Sequence, residues 1–157
     1  MKNVITVIIA VTILLSGCAK VVDHAVEETN LNMVLDLNNK MIEEEDLNLL
    51  TKLYSNADDI VIIGTDATER VTEFEGFYTM MEQQFDQSET TKISVNDRTI
   101  KIHDSGKVAW YSENIDWDMV VGGQELKFNG IRGTGVLEKR DGQWVFVQVH
   151  YSIPAEG

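Results

Sequence analysis

The stretch that decides the fold covers residues 108–153 and reads VAWYSENIDWDMVVGGQELKFNGIRGTGVLEKRDGQWVFVQVHYSI. Apolar and polar residues alternate through most of it, a pattern typical of half-buried β-strands. Gly122-Gly123 predicts a two-residue hairpin loop, and Arg140-Asp141-Gly142 predicts a second turn. We therefore expect three long antiparallel strands, Val108 to Val121, Gln124 to Lys139 and Gln143 to Ile153.

An earlier strand and three helices precede this stretch. The alternation of Ile93 and Val95 changes phase at Ile100 and Ile102, which predicts a β-bulge near residues 96–98. Apolar residues at helical spacing predict a first helix over 31–43, a second after Asp46 as N-cap, and a third over 72–85. A short buried strand is expected over 60–63.

The N-terminus resembles a bacterial lipoprotein signal. Lys2 is followed by an apolar stretch from Val4 to Leu15, too short to span a bilayer, and then by Leu15-Ser16-Gly17-Cys18, which has the form of a lipobox. An ordinary cleaved secretory signal is the alternative. We expect a signal peptide over 1–17, lipidated Cys18 anchoring the protein to the membrane of the cell envelope, a tether over 18–30, and one domain over 31–154. The residue after Cys18 favours the outer membrane if the cell is Gram-negative.

Charge and cysteine content exclude several function classes. The chain has 13 basic and 26 acidic residues, a net charge of −13, so nucleic acid is not an expected partner. Cys18 is the single cysteine, and once lipidated it leaves no thiol for a disulfide, a nucleophile or a metal site. No phosphate loop, nucleophile elbow or zinc-ligand pair is found, so no cofactor or metal is expected.

The hairpins predict which side chains meet on the sheet. With Gly122-Gly123 as the loop, Glu113 faces Arg132; with a three-residue loop at 140–142, Arg132 faces His150. A two-residue Asp141-Gly142 loop is the alternative and shifts the second register by one residue. The three-residue register puts Trp110 on a dry face, across from Gly135.

The other face is the predicted pocket. Aromatic residues there surround a few polar groups, as in small-molecule sites; the predicted set is Tyr111, Trp117, Phe128, Trp144 and Phe146 with Glu113, Arg132, Gln148, His150 and Ser152. Arg132 would hold an anionic or carbonyl group, and His150 would act as general base with Glu113 orienting it. The alternative is a structural ion pair beside an inert histidine.

Other polar residues are weaker candidates. Asp116 and Asp118 are expected on a surface-exposed strand face, with Lys127 opposite Asp118. Residues 65–70 predict either a pocket rim or a capped turn before the third helix.

Four groups of motifs resemble the SnoaL-like branch of the nuclear transport factor 2-like superfamily. They are Glu45-Asp46-Leu47 with Leu53-Tyr54, Ile63-Gly64-Thr65-Asp66 with Glu69-Arg70, Val108-Ala109-Trp110 with Asp116-Trp117, and Gly133-Thr134-Gly135-Val136-Leu137 with Asp141-Gly142-Gln143-Trp144 and His150-Tyr151-Ser152. The resemblance implies a cone-shaped α+β fold in which about three helices pack on a strongly curved antiparallel sheet. It also implies a pocket between sheet and helices and often a homodimer formed through the sheet, without specifying a reaction.

Three hypotheses follow. The first is an envelope lipoprotein whose domain binds a small, partly apolar ligand. The second is a cofactor-independent isomerase, lyase or hydrolase that uses His150. The third is an interaction module that dimerises or docks a partner through the sheet.

Overall fold

The computed structural model describes residues 22–155, which form three helices and one six-stranded sheet. The predicted signal peptide and Cys18 lie outside the described residues. The helices and strands are α1 (His24–Glu43), α2 (Leu47–Leu53), β1 (Val61–Ile63), β2 (Arg70–Val71), α3 (Phe74–Gln87), β3 (Ser88–Ile102), β4 (Val108–Val121), β5 (Gln124–Arg140) and β6 (Gln143–Ser152). Within residues 22–155, no helix is long and apolar enough to cross a membrane.

Helix α1 begins at His24, seven residues before the expected start at Leu31. Asp23 caps it by accepting a hydrogen bond from the backbone N–H of Val26. The expected tether therefore becomes helical from His24 onward. Glu27, in the first turn, accepts hydrogen bonds from Lys139 Nζ and Trp144 Nε1, so this end of the helix is fixed to the sheet.

The other two helices form as the sequence predicts. Asp46 caps α2 by accepting from the N–H groups of Asn48 and Leu49, at 2.9 and 3.0 Å. In α3, Phe77, Met81 and Phe85 are buried at the predicted helical spacing. These buried stripes pack the helices onto one face of the sheet.

The sheet is mixed, with strand order β2-β1-β6-β5-β4-β3. Strands β3 to β6 form antiparallel neighbours, as expected, whereas the short β1 pairs parallel with β6. Strand β2, which was not predicted, pairs with β1 at the edge. The predicted bulge in β3 is confirmed by a register shift between Val95 and Asp97.

One hairpin has the predicted register at its loop and the other does not. Val121 pairs with Gln124 around Gly122-Gly123, as expected. Arg140 pairs with Gln143, so the three-residue loop is wrong and the alternative Asp141-Gly142 loop is correct. Asp141 and Gly142 have φ angles of 51° and 86°, the left-handed conformations that such a tight turn requires.

A second, unpredicted bulge interrupts the pairing of β4 with β5. Asp116 lies opposite the extra residue, and its Oδ1 accepts from the N–H of Gly130, whose φ is 70°. Beyond this point Glu113 pairs with Gly133 and Asn114 pairs with Arg132. The predicted pairing of Glu113 with Arg132 is therefore wrong by one residue, which transfers side chains to the opposite face.

The two faces of the sheet have different environments. The inner face lies under the helices and completes a core that includes Leu31, Leu35, Leu50, Phe77, Tyr111, Phe146 and Val149. The outer face carries Trp110, whose side chain is 47% exposed. Gly135 lies across from Tyr111 on the inner side and leaves room for its ring, so the prediction that it accommodates Trp110 is wrong.

Candidate functional site

A cavity of about 390 Å³ lies between the helices and the inner face of the sheet. It is at the end of the domain where α1 and α3 terminate, since Met41, Ile42 and Gln87 line it. Most of the wall is apolar or aromatic, formed by Met41, Ile42, Ile62, Phe77, Met80, Met81, Trp117, Met119, Val121, Phe128, Ile131, Val149 and Ile153. Its size and lining are those of a small-molecule site.

The lining includes few polar groups. Trp117 contributes a buried Nε1–H that has no hydrogen-bond partner among the described residues, and its ring packs edge-to-face against Tyr151 with centroids 6.0 Å apart. Gln83, Gln84 and Gln87 from α3 add amide groups. An unpaired buried donor costs free energy, so a ligand or water that accepts a hydrogen bond from Trp117 Nε1 would remove that cost.

Two tyrosine hydroxyls in the wall are held by one buried asparagine. Tyr54 donates to Asn38 Oδ1 at 2.7 Å, and Asn38 Nδ2 donates to the hydroxyl oxygen of Tyr151 at 3.3 Å. Burial raises the pKa of both phenols above the ordinary value of 10.0. Both tyrosines are therefore neutral at physiological pH and act as hydrogen-bonding groups, not as bases.

A buried ion pair lies on the inner face without lining the cavity. Arg98 Nε donates to Glu113 Oε2 at 3.0 Å, and Arg98 Nη1 continues to Asp36 at 2.7 Å on α1. Glu113 is only 4% exposed, and burial raises its pKa while the neighbouring Arg98 opposes the rise. The partner of Glu113 is thus Arg98, and the pair joins the sheet to α1.

The mouth of the cavity carries Glu69 from the turn before β2. Its Oε2 accepts from the N–H of Asp66 at 3.0 Å, which folds the carboxylate back over Gly64. A methyl group at position 64 would collide with that carboxylate, so the rim depends on glycine there. Residues 65–70 provide both the pocket rim and the capped turn considered from the sequence.

The structure separates the residues of the predicted trio. Glu113 lies on the inner face, whereas Arg132 and His150 pair with neighbours on the outer face, opposite Ser152 and Thr134 respectively. Arg132 is exposed, and its Nη2 donates to the carbonyl of Ile153 at 3.4 Å. The predicted arrangement of Arg132, His150 and Glu113 in one pocket is therefore wrong.

The remaining predicted pocket residues divide between the two faces. Trp117 and Phe128 line the cavity, as expected. Tyr111 is buried on the inner face, where its hydroxyl has no partner among the described residues, and Trp144 and Phe146 are buried in the core. Gln148 and Ser152 lie on the outer face with His150 and do not line this cavity.

Sequence reasoning missed Tyr54, Tyr151, Asn38 and the inner position of Val149. A signal for Asn38 was present, because an asparagine within an apolar helical stripe must find buried partners. The inner position of Val149 and Tyr151 depends on a further bulge: the Asp-Gly loop sets the register as far as Leu137 paired with Phe146, and a shift between Leu137 and Val136 then places Val149 and Tyr151 opposite Gly135 and Gly133. Residues 22–155 contain no cluster of histidine, cysteine, aspartate or glutamate suited to a metal ion.

The fold and the cavity define a class of proteins in which a curved sheet and three helices enclose a small-molecule pocket. The family model of the SnoaL-like domain matches residues 31–156, and the chain belongs to this family. No curated protein matches the sequence.

Solved structures with low sequence identity share the fold. A nuclear transport factor 2-like superfamily protein from Salmonella enterica serovar Typhimurium superposes with a TM-score of 0.73 at 18% identity, covering 84% of this chain and 94% of its own. A putative scytalone dehydratase from Novosphingobium aromaticivorans gives 0.74 at 12% identity, with 83% and 86% covered. A type 2 hexachlorocyclohexane dehydrochlorinase gives 0.72 at 11% identity, with 83% and 87% covered.

Proposed function

We propose that this SnoaL-like domain binds a small, largely apolar molecule in the cavity between α1, α3 and the inner face of the sheet. The observation that carries the proposal is the 390 Å³ cavity itself, because its apolar wall contains the unpaired buried donor Trp117 Nε1. A ligand that places an acceptor at Trp117 and apolar surface against the wall matches both features. Dehydratase and dehydrochlorinase relatives of the same fold act on small molecules by name, which is consistent with this use of the pocket.

Binding, and not catalysis, is the function that the geometry supports best. Among the described residues, the cavity wall has one carboxylate, Glu69, and no histidine, and the hydroxyls of Tyr54 and Tyr151 are hydrogen-bonded to Asn38. The enzyme hypothesis based on His150 and Glu113 required them on one face, and they are on opposite faces.

A pair of neighbouring variants on β4 tests the proposal. Met119→Trp places an indole in the cavity, whereas Val120→Trp places the same indole on the outer face. The uncharged fluorescent probe N-phenyl-1-naphthylamine should bind the parent protein and the Val120→Trp variant. The Met119→Trp variant should bind at least about tenfold more weakly. Failure of the parent to bind, or equal binding by both variants, would refute the proposal.

Arg132→Ala provides a second control. The sequence-based hypothesis assigned the ligand's polar group to Arg132, but the cavity wall does not include this residue. Probe affinity should therefore be unchanged in Arg132→Ala.

We further propose that the domain is anchored at the cell envelope through Cys18. Helix α1 spans about 30 Å, and its first turn, fixed by Glu27, lies at the opposite end of the domain from cavity residues Met41 and Ile42. An anchor attached before α1 would leave the cavity mouth facing the aqueous compartment. Membrane fractionation of Cys18→Ser tests the anchor, since release into the soluble fraction is expected and retention would refute it.

We also propose that the outer face forms a homodimer interface. Trp110 is 47% exposed on this side and lies opposite Val136, and this apolar surface is one that a second copy would cover. Sedimentation velocity of the parent protein and of Trp110→Lys tests this. A dimer that Trp110→Lys dissociates is expected, and a parent protein that is monomeric at micromolar concentration would refute it.

A further inference from the structure

The electrostatics of the cavity mouth point to the charge of the ligand. Glu69 is the one charged residue among those that line the cavity, and no lysine, arginine or histidine does so. Its Oε1 makes no hydrogen bond or ion pair to any residue between 22 and 155, while Oε2 is held by the N–H of Asp66. One carboxylate oxygen is thus fixed in place and the other is free to accept.

Two helix ends reinforce this negative potential. The last turn of α1 supplies Met41 and Ile42 to the wall, and the end of α3 supplies Gln84 and Gln87. Helix C-termini carry partial negative charge, so both macrodipoles favour a cation at the mouth. α3 has no basic residue in its last turn to offset its dipole, whereas α1 has Lys40 there, which is paired with Glu44, so the contribution of α3 is the larger one.

Two further carboxylates, those of Glu43 and Glu45, add negative charge near the cavity. Glu43 accepts from the N–H of Ile93 at 2.7 Å and Glu45 from the hydroxyl of Ser88 at 2.8 Å. Neither carboxylate lines the cavity, but both lie near its wall, because Ile93 and Ser88 pair with the lining residues Trp117 and Val121. The protein's net charge of −13 adds a general attraction for cations.

We propose that the ligand is an apolar amine, or another organic cation, whose charged end binds Glu69 at the cavity mouth while its apolar part fills the pocket and offers Trp117 Nε1 an aromatic face or another acceptor. This inference rests on the proposed binding function and specifies its ligand class. An anionic ligand is disfavoured at this site because the wall offers it no cation and the mouth repels it. The earlier hypothesis of an anion held by Arg132 assigned the opposite charge.

Three probes with one ring system test the inference by calorimetry with the purified protein. They are 2-naphthylmethylamine, 2-naphthalenemethanol and 2-naphthoate, which are positive, neutral and negative at pH 7. The amine should bind about tenfold more tightly than the carboxylate, with the alcohol between them. Glu69→Gln keeps the acceptor for the N–H of Asp66. It should weaken the binding of the amine about fivefold and change the affinity for the alcohol less than twofold.

Two further variants separate the site from the general field. Glu75→Gln makes the same charge change on an exposed residue of α3 outside the cavity wall, and should leave the preference for the amine intact. Gly64→Ala displaces the Glu69 carboxylate and should reduce the preference as Glu69→Gln does.

The outcomes distinguish the two proposals. If the alcohol binds but the amine binds no more tightly than the alcohol, the inference about ligand charge is overturned and the proposed binding function stands. The same holds if the amine is still preferred over the carboxylate in Glu69→Gln. If none of the three probes binds, both are contradicted.

Discussion

The inner and outer faces of the same strands differ in almost every respect. On β4, the inner side chains Tyr111 and Glu113 are 3% and 4% exposed, while Trp110 on the outer side is 47% exposed. The inner face holds the cavity wall and the buried ion pair, whereas the outer face carries Arg132, Gln148 and His150. Because strand side chains alternate, a one-residue error in register exchanges these two environments completely.

This difference explains why residue type alone is a poor guide to the site. Arg132 and His150 have the chemistry of binding and catalysis, yet they face away from the cavity. Trp117 and Tyr151, which have less reactive side chains, line it. The predictions below test whether the two faces are as distinct energetically as they are geometrically.

The largest effect is expected for Gly135→Ala. A methyl group at this position would lie 2.6 Å from the backbone carbonyl oxygen of Gln148 and 2.6 Å from Cε1 of Tyr111. Neither can move without disturbing the sheet or the core, so we expect a loss of about 3 kcal/mol in the free energy of unfolding. Urea denaturation measures it. Thr134→Val, at the exposed neighbouring residue, should stay within about 0.5 kcal/mol, and equal losses would show that the faces do not differ.

The local elements of the fold could be predicted, because their signals lie within a few residues. Helical spacing located α3, Asp46 marked the start of α2, and Gly122-Gly123 set the register at its own hairpin. Asp23 is a typical N-cap residue, and it marks the early start of α1 within the stretch that was expected to be a tether.

The site could not be predicted to the same extent, because its register depends on contacts distant in sequence. Asp116 on β4 accepts a hydrogen bond from the N–H of Gly130 on the neighbouring strand β5. The bulge at this point changes the pairing partner of Glu113 from Arg132 to Gly133. An isolated glycine within a strand is a recognised bulge signal, so Gly130 indicated that a bulge could occur in β5. The sequence alone did not show whether it does. Glu113 and Arg98 meet only because the β3 bulge and the β3–β4 turn set the register between their strands.

An intermediate effect is expected for the two candidate partners of Glu113. Glu113→Ala leaves the largely buried guanidinium of Arg98 with only Asp36 and Asn32 on α1, and should cost about 2 kcal/mol of stability. Arg132→Ala, on the outer face, should cost less than about 0.5 kcal/mol. Chemical denaturation of both single variants measures the difference.

A double-mutant cycle then identifies the partner. Glu113→Ala combined with Arg98→Ala should show a coupling energy above about 1 kcal/mol, since the side chains are in contact. Combined with Arg132→Ala, the coupling should be near zero. Coupling to Arg132 would mean that the predicted pairing, and not the observed one, exists in solution.

The smallest effect concerns pH and distinguishes two carboxyl groups at the contact between α1 and the sheet, Glu113 on β4 and Glu27 on α1. Burial raises the pKa of Glu113 above its ordinary 4.5, so the stability it contributes is full below that value and is lost as the pH rises through the raised pKa. The hydrogen bond from Lys139 lowers the pKa of Glu27, so its contribution is present above 4.5 and is lost as the pH falls through the lowered pKa. The two groups therefore give stability opposite slopes against pH.

Unfolding measured between pH 3 and pH 7 for Glu113→Gln and Glu27→Gln separates these slopes. Relative to the parent, Glu27→Gln should lose about 1 kcal/mol at pH 7, and the gap should close as the pH falls below 4.5. Glu113→Gln should instead gain relative to the parent as the pH rises above 4.5, because the neutral amide avoids the cost of a buried charge. The same slope for both variants would contradict the prediction, because it would mean that the attraction of Arg98 outweighs burial and lowers the pKa of Glu113.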